Sequence, residues 1–382
     1  AIAASATGDT INFDSLLSGQ SITLSSTLNI NNNLTIDGSA LASKISVSGN
    51  DAVTVFDIVI DTTVTLNSLI VTSGRATEYE AGIFGGGIKN FGTLNITNSI
   101  ITNNISDIVG GGNGGGIHNL GKLNISNSTI SNNSSWVGGG IMNMGDLQVA
   151  DSIITGNSAV EGGGVYNASA LSLSNSTVSN NSARGGGIIS IGTMNIANST
   201  FSGNSSSEEG GGILNYGPLT ITNSTFSGNS AVTWGGGIYN GNGPLNLTNT
   251  IISNSTAGGD CYNDNTISAT MGVNINNLVE ANAASPNNCG TPAFISDPKL
   301  GVLSNNGDLT QTMPLGAGSP AIDAGNDANC PATDQRGMRR PQGSHCDIGA
   351  YEYRHLIYYV KSNAGGANNG TSWTNAYTDL QS

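Results

Sequence analysis

The stretch GGGIMNMGDLQVADSIITGN, residues 138–157, is one copy of a pattern that recurs along the chain. Gly-Gly-Gly followed by Ile or Val occurs seven times, and the closing apolar residues are separated by 29, 24, 24, 23, 25 and 25 residues. These residues are Ile88, Ile117, Ile141, Val165, Ile188, Ile213 and Ile238. A period in the twenties with glycine-marked corners indicates a solenoid.

Each repeat contains three short strand-like stretches. In Leu123-Asn124-Ile125 and Leu219-Thr220-Ile221 the apolar residues are two apart, so they share one face of a strand. With 55 Gly and only 9% charged residues, the composition suits strands and tight turns and excludes an α-helical repeat. We therefore predict an all-β, right-handed parallel β-helix with three strands per coil of about 25 residues.

Stacked coils lie about 4.8 Å apart, so each consensus position forms a row along the axis. Asparagine tolerates left-handed turns, and its amide both donates and accepts hydrogen bonds, which predicts structural turn ladders. The first row is Asn98, Asn127, Asp151, Asn175, Asn198, Asn223 and Asn249; the second is Asn104, Asn133, Asn157, Asn181, Asn204 and Asn229; the third is Asn90, Asn119, Asn143, Asn167, Ser190, Asn215 and Asn240.

The glycine triplets mark a third corner, where the backbone needs positive φ or a close approach to its neighbour. A bulky residue at Gly139 or Gly163 is expected to distort the stacking of coils. Because a solenoid grows by adding coils, the length of 382 residues counts coils rather than globular domains.

The charge balance restricts the partners. There are 11 basic and 25 acidic residues, a net charge of -14, which makes nucleic acid an improbable ligand on electrostatic grounds. No apolar run reaches the roughly 18 residues of a membrane span, and the first residues lack the pattern of a signal peptide. We expect no membrane span and no nucleic-acid partner.

All four cysteines follow the repeats, at Cys261, Cys289, Cys330 and Cys346. Their spacing fits no zinc motif, and an even count in a chain of exported character favours two disulfides. Three connectivities are open, and we prefer the pairing of neighbours, Cys261 with Cys289 and Cys330 with Cys346.

The triplets, together with Phe201-Ser202-Gly203-Asn204 and Phe226-Ser227-Gly228-Asn229, resemble the repeats of bacterial surface β-helix proteins of the polymorphic-outer-membrane type. Residues 318–325 (GSPAIDAG), 334–337 (DQRG) and 347–352 (DIGAYE) resemble the module called choice-of-anchor Q. The resemblance implies an exported, extracellular protein at the cell surface, and it does not imply a defined catalytic activity. It divides the chain into a β-helix at 1–300, with regular coils at about 85–255, and a module at 301–352.

Residues 353–382 read as a linker strand followed by the start of a helix at Thr378-x-x-Gln381. Joining Ser382 to Ala1 would place Leu380 and Ile2 on one helical face. This predicts an assembly junction formed by Ala1, Ile2, Thr378, Leu380, Gln381 and Ser382, at which copies follow one another in tandem or end to end. The alternative is a single unit with a trimmed start and the beginning of a second β-helix.

The residues before successive triplets include Glu161, Arg184 and Glu209, which should stack with alternating charge. A surface charge ladder is the interpretation we favour over an Arg base flanked by carboxylates, as in polysaccharide lyases. Aromatic side chains near this corner, which are Phe84, Trp136, Trp234 and Tyr239, could stack on sugars or cover the edge of the core. His118 is expected to point outward without a partner.

Oxygen ligands suggest possible calcium sites at Asp260 and Asp264, beside Asn265, and at Asp323 and Asp327, with Asp334 and Asp347 nearby. None matches a defined calcium loop, and we expect Asp334 to pair with Arg336 or with backbone. No other cofactor is expected. The sequence thus favours a non-enzymatic rod of a surface filament, sheath or adhesin stalk, with copies of itself as partners and surface glycans as candidate partners. The alternative is a carbohydrate-active or carbohydrate-binding β-helix.

Overall fold

A computed structural model describes residues 1–76, 84–106, 111–284, 286–354, 360–368 and 372–379, together with the backbone but not the side chain of residue 267. The chain winds into a right-handed parallel β-helix, which confirms the predicted fold class. All strand pairings between coils are parallel within the described residues, and the strands form three long sheets. An antiparallel pair occurs beyond the coils, between Ser304–Asn305 and Gln311–Thr312.

The first sheet has 19 strands because most coils contribute two, separated by a bend. The strands before the bend are Leu28–Ile30, Phe56–Ile58, Ile88–Asn90, Ile117–Asn119, Ile141–Asn143, Val165–Asn167, Ile188–Ser190 and Ile213–Asn215. Those after it are Asp9–Asn12, Leu34–Asp37, Thr63–Asn67, Thr93–Thr97, Lys122–Ser126, Asp146–Ala150, Ala170–Ser174, Thr193–Ala197 and Leu219–Thr222. Ile238–Thr248 and Cys261–Ile275 run through both positions.

The second sheet follows the first asparagine row and has 11 strands. They are Ser21–Thr23, Ile45–Ser48, Leu69–Thr72, Ile100–Thr102, Thr129–Ser131, Ile153–Thr155, Thr177–Ser179, Thr200–Ser202, Thr225–Ser227, Ile251–Ser253 and Leu278–Val279. The third sheet has six short strands, Ile105–Ser106, Ser134–Ser135, Ser158–Glu161, Ser182–Arg184, Ser205–Ser206 and Ser230–Ala231.

The register of the paired strands determines which side chains form the core. Leu123, Leu147, Leu171, Met194 and Leu219 pair in sequence across five coils, and each is buried. Because every coil presents the same inward positions, like side chains stack on like along the axis; the rings of Phe201 and Phe226, for example, lie 4.4 Å apart and nearly parallel. The alternation of apolar and polar residues in the sequence therefore becomes one continuous core.

The three asparagine rows differ in their roles. Residues of the first row hold the left-handed turn, with φ between 45° and 50° from Asn98 to Asn249. The buried ladder beside it is formed by the serines that follow them: the backbone N–H of Ser128 donates to Ser152 Oγ, and that of Ser152 donates to Ser176 Oγ. Side chains of the first row also link coils, since the Asn175 amide donates to Asp151 and the Asn249 amide donates to Asn223, whereas the serine ladder was not predicted.

The second and third rows are buried. Asn133 donates from both its backbone N–H and Nδ2 to Asn157 Oδ1, and Asn157 repeats this pattern with Asn181. In the third row the amides link coil to coil until Ser190, whose hydroxyl donates to the Gly192 carbonyl instead. These ladders satisfy polar groups that the turns remove from water.

The end of the β-helix is closed by a loop and by a lateral module. Disulfides join Cys261 to Cys289 and Cys330 to Cys346, which are the neighbouring pairs. Cys289 lies in the core, so the loop that carries it covers the last coil. The module after residue 298 does not extend the rod but folds back along the second sheet, where Leu315, Ala321 and Ile348 pack against Ile251 and Leu278.

Buried polar contacts fix the module to the rod. Gln335 Nε2 donates to Thr177 Oγ1 and Thr310 Oγ1, while Thr200 Oγ1 donates to Gln335 Oε1. Inside the module itself, Arg340 and Glu352 form a fully buried ion pair at 2.9 Å. The expected pairing of Asp334 with Arg336 is confirmed at 2.6 Å.

The helices of the described residues are three-residue 3₁₀ turns, Ile2–Ala4, Ser15–Leu17 and Asp327–Asn329; none of them has the length and apolar character to cross a bilayer. Of the predicted junction, Ile2 packs against the core and the Thr378 N–H donates to Asn368 Oδ1. Leu380, Gln381 and Ser382 lie outside the described residues. Residues 355–359 of the predicted linker strand also lie outside the described residues, and beyond them Val360 forms a parallel bridge with Tyr377.

Candidate functional site

Charged and aromatic side chains collect at the corner where the third sheet leads into the glycine triplets. Backbone bridges align Val137 with Glu161, and Glu161 with Arg184, on successive coils. From this corner the side chains of Arg184 and Trp234 reach the outer face of the first sheet, where they contact Tyr216 and Tyr262. A Cβ at Gly185 would meet Ile189 Cγ1 at 2.2 Å.

Arg184 is the centre of the corner. Its Nε lies 2.8 Å from Glu208 Oε2 and 3.7 Å from Glu209 Oε2, its Nη1 lies 3.5 Å from Glu161 Oε1, and its Nη2 donates to Tyr216 Oη at 3.2 Å. The predicted stacking of Glu161, Arg184 and Glu209 is thus present as ion pairs. Glu208 and Tyr216 were missed, because the comparison of repeats used only the residue directly before each triplet.

The electrostatics oppose a role for Arg184 as a general base. Burial acts to lower the pKa of its guanidinium, but Tyr216 and the carboxylates of Glu208, Glu209 and Glu161 raise it, and the net pKa is above the ordinary value. A guanidinium surrounded by three carboxylates keeps its proton. The arrangement suits the binding of hydroxyl-rich or cationic groups better than proton abstraction.

Two of the four candidate aromatics are exposed. Trp136 and Trp234 have 55% and 51% of their surface accessible, while Phe84 and Tyr239 are buried. Trp234 stacks on Tyr262 at 5.0 Å, and Tyr262 stacks on Tyr239 at 5.6 Å. The expectation of sugar stacking therefore applies to the two tryptophans, and Phe84 and Tyr239 cover the edge of the core.

The expectation for His118 was wrong. Its side chain faces away from the main core, as the alternation of the strand requires, yet it is only 1% exposed because the segment at Phe84 covers it. His118 Nδ1 lies 2.6 Å from the Phe84 carbonyl oxygen. Burial lowers the pKa of His118 to about 4, so the ring is neutral near pH 7.

The calcium candidates carry structural hydrogen bonds. Asp260 accepts from the backbone N–H groups of Ser255 and Ala281, and Asp264 accepts from Thr266 and from the Tyr239 hydroxyl. The Asn265 amide donates to the Pro286 carbonyl.

In the module, Asp327 accepts from Cys346 N–H and contacts His345 Nδ1 at 2.7 Å, and Asp323 accepts from His345 N–H. Asp347 accepts from the backbone N–H groups of Asp323 and Tyr353. Among the described residues no group of three His, Cys, Asp or Glu side chains is arranged to hold a metal, and calcium binding stays a prediction.

No family model matches the chain, and no curated protein shows significant similarity to its sequence. Among solved structures, the chain is similar to the crystal structure of the pectate lyase Pel9A, with a TM-score of 0.55 and 15% identity over 92% of this chain and 90% of the other. At this identity the likeness shows a shared β-helix fold. The resemblance to surface repeat proteins and to the choice-of-anchor module rests on their motifs alone.

Proposed function

We propose that the protein is an extracellular structural rod, a β-helical unit of a cell-surface filament, sheath or adhesin stalk that associates end to end with copies of itself. The observation that carries this proposal is the first coil of the β-helix, which is open in the sense that no other described strand pairs with its outer edges. The two disulfides suit an oxidising compartment outside the cytosol, and the surface-protein motifs of the sequence agree with that location.

The first coil exposes both backbone and core. Its strands Asp9–Asn12, Ser21–Thr23 and Leu28–Ile30 each pair with a following coil and have no strand on their outer side within the described residues. Between them opens a cavity of about 710 Å³, lined largely by apolar side chains that include Ile2, Ile11, Ile22, Leu28 and Phe56. Open strand edges and exposed apolar surface favour association.

The opposite end is different, because the loop bearing Cys289 closes the last coil and prevents direct stacking of strands there. We therefore propose that the segment after residue 352 of one copy occupies the open first coil of the next. The described part of this segment carries Trp373, which is 63% exposed. An exposed Trp on this segment and an apolar cavity at the first coil are complementary, and the predicted helical junction joins the same two regions of the sequence.

Sedimentation and electron microscopy of the full chain test this proposal. We expect concentration-dependent linear oligomers, and Ile22→Glu should weaken association at least tenfold by placing a charge in the cavity. Ile22 is already 36% exposed, so the monomer should still fold. Ile60→Glu is the matched control, since Ile60 is 66% exposed and does not line the cavity. A monomer at all concentrations, or equal effects of both variants, would contradict the proposal.

The second candidate is a carbohydrate-active β-helix, favoured by the cluster at Arg184 and by the fold shared with a pectate lyase. The raised pKa of Arg184 argues against it as the base. We expect no cleavage of polygalacturonate or other polysaccharides by the purified chain. If cleavage is observed and Arg184→Ala abolishes it, the enzyme replaces the rod as the preferred function.

A further inference from the structure

We propose that the side of the rod carries a binding site for an uncharged oligosaccharide, which lies parallel to the axis over the corner formed by Trp136, Arg184 and Trp234. This site goes beyond the rod function and is independent of the open first coil. It rests on a fixed, exposed tryptophan, on the spacing of the coils and on the charge of the corner.

Trp234 is held in a defined orientation although half of its surface is accessible. Its ring stacks on Tyr262, whose hydroxyl accepts from Asn287 Nδ2 at 2.7 Å. Tyr262 in turn stacks on Tyr239, whose hydroxyl donates to Asp264 at 2.7 Å. The apolar C–H face of a sugar packs well on an aromatic ring, and a ring that is already immobilised loses little entropy on binding.

A surface cavity of about 530 Å³ adjoins Trp234 and is bordered by Tyr262, Thr233, Asn282 and Pro286. The cavity is next to the part of Trp234 that remains accessible. It therefore offers room for a sugar ring beside the stack, with the peptide groups of the Gly258-Gly259 turn at its wall.

The coil spacing gives the site its length. The corner residues Val137, Glu161, Arg184, Glu209 and Trp234 occupy successive coils, and Trp136 directly precedes Val137. Trp136 and Trp234 are therefore about 19 Å apart along the axis, with Arg184 about midway. An extended β-linked saccharide advances by about one coil per sugar, so a tetrasaccharide would reach from one tryptophan to the other.

The charge of the corner selects the ligand class. Arg184 supplies one positive charge, and Glu161, Glu208 and Glu209 supply three negative charges, a net of -2. The side chains of Glu161 and Glu208 are 35% and 57% exposed, so their oxygens are available to sugar hydroxyls. A uronate chain would be repelled by this excess of carboxylate, whereas uncharged sugars gain hydrogen bonds without repulsion.

Isothermal titration of the full chain with cellotetraose, chitotetraose, mannotetraose and tetragalacturonate tests the inference. We expect at least one of the uncharged tetrasaccharides to bind and tetragalacturonate to bind at least tenfold more weakly. Trp234→Ala should weaken binding at least tenfold, and Trp136→Ala should weaken the tetrasaccharide more than the corresponding disaccharide. Ile60→Ala is the control and should leave the affinity unchanged, because Ile60 is an exposed apolar residue that lies outside the corner.

A second measurement does not depend on the folding of the Trp234→Ala variant. In Trp136→Phe/Trp373→Phe the only remaining Trp is Trp234, and saccharide should shift its fluorescence emission. Ile22→Glu should bind saccharide like the wild type, which separates this site from end-to-end association. The inference is overturned if no uncharged saccharide binds, if tetragalacturonate binds more tightly, or if the fluorescence of Trp234 does not respond.

Discussion

The triplet glycines meet two different requirements. Gly138 has φ of 66°, a left-handed conformation that side chains disfavour, whereas at Gly139 the limit is space. A Cβ at Gly139 would lie 2.4 Å from the Ser158 carbonyl oxygen and 2.5 Å from that of Gly163. Because both contacts are to backbone of stacked coils, neither can be relieved by rotating a side chain.

Gly139→Ala is therefore expected to lower the free energy of unfolding by about 2 kcal/mol or more, since overpacking against backbone forces coils apart. Chemical denaturation followed by circular dichroism measures the change. Gly156→Asn is the control: Gly156 also has positive φ, but the equivalent residues of adjacent coils are Asn132 and Asn180, so asparagine should be accepted. Equal losses in both variants would refute the distinction.

At the scale of one residue, His118 makes the stability of the folded protein depend on pH. Burial, together with the charge of Lys89, lowers its pKa from 6.5 to about 4 against the raising effect of the Phe84 carbonyl. Since the unfolded chain takes up this proton more readily, stability is complete above pH 6.5 and is lost as the pH falls toward 4. Between pH 7 and pH 5 the wild type should lose about 2 kcal/mol more than His118→Met.

Thermal melting of both chains at the two pH values measures this difference. Methionine is the appropriate replacement because Met142 occupies the equivalent position in the next coil and is buried there. Other titrating groups are common to both chains and cancel in the comparison. Parallel losses in the two proteins would show that His118 is not the group responsible.

At the scale of the element, the side chains at the turns form ladders that contribute unequally to the stability of the fold. Asn157 accepts from Asn133 and donates to Asn181 and to the Ile130 carbonyl, all in the buried interior. Asn175 lies at a left-handed turn with φ of 47°, and its amide donates to Asp151 at the margin of the fold. Asparagine occupies both positions in most coils. Only at position 157, however, do buried polar groups depend on the asparagine side chain for their hydrogen bonds.

Asn157→Ala should lower the free energy of unfolding by about 3 kcal/mol or more, because it leaves several buried polar groups without partners. Asn175→Gly is the matched change from the next coil, and it should cost less than about 1 kcal/mol because glycine accepts the same φ. Denaturant midpoints of the two variants provide the test. A larger loss for Asn175→Gly would reverse the assignment of roles.

At the scale of the whole molecule, the module acts as a lateral clamp across several coils. Gln335 reaches Thr177 and Thr200 on adjacent coils, and the backbone N–H of Ala350 donates to Thr225 Oγ1 on the next. Asp347 is buried inside the module, where it accepts from the backbone N–H groups of Asp323 and Tyr353, and burial raises its pKa to about 7. The clamp covers one flank of the second sheet and leaves the corner at Arg184 accessible.

Gln335→Ala should loosen this clamp, because the hydroxyls of Thr177, Thr200 and Thr310 would lose a buried partner at a cost of about 3 kcal/mol. Limited proteolysis should then cleave the module several-fold faster while the β-helix stays resistant. Gln342→Ala is the control, since the Gln342 side chain donates only to the nearby Arg339 carbonyl among the described contacts. Equal protection of the module in both variants would contradict the clamp.

The sequence by itself determined the β-helix, its coil length and the positions of the asparagine rows, because a stacked repeat maps each consensus residue onto an identical environment. The contacts between segments that are not equivalent in the repeat are decided only by the tertiary structure. The burial of His118, the participation of Glu208 and Tyr216 at the corner, and the docking of Gln335 on Thr177 and Thr200 join residues that no period relates. Periodicity specifies contacts along the axis, whereas loops that fold across the sheets choose their partners by shape and charge.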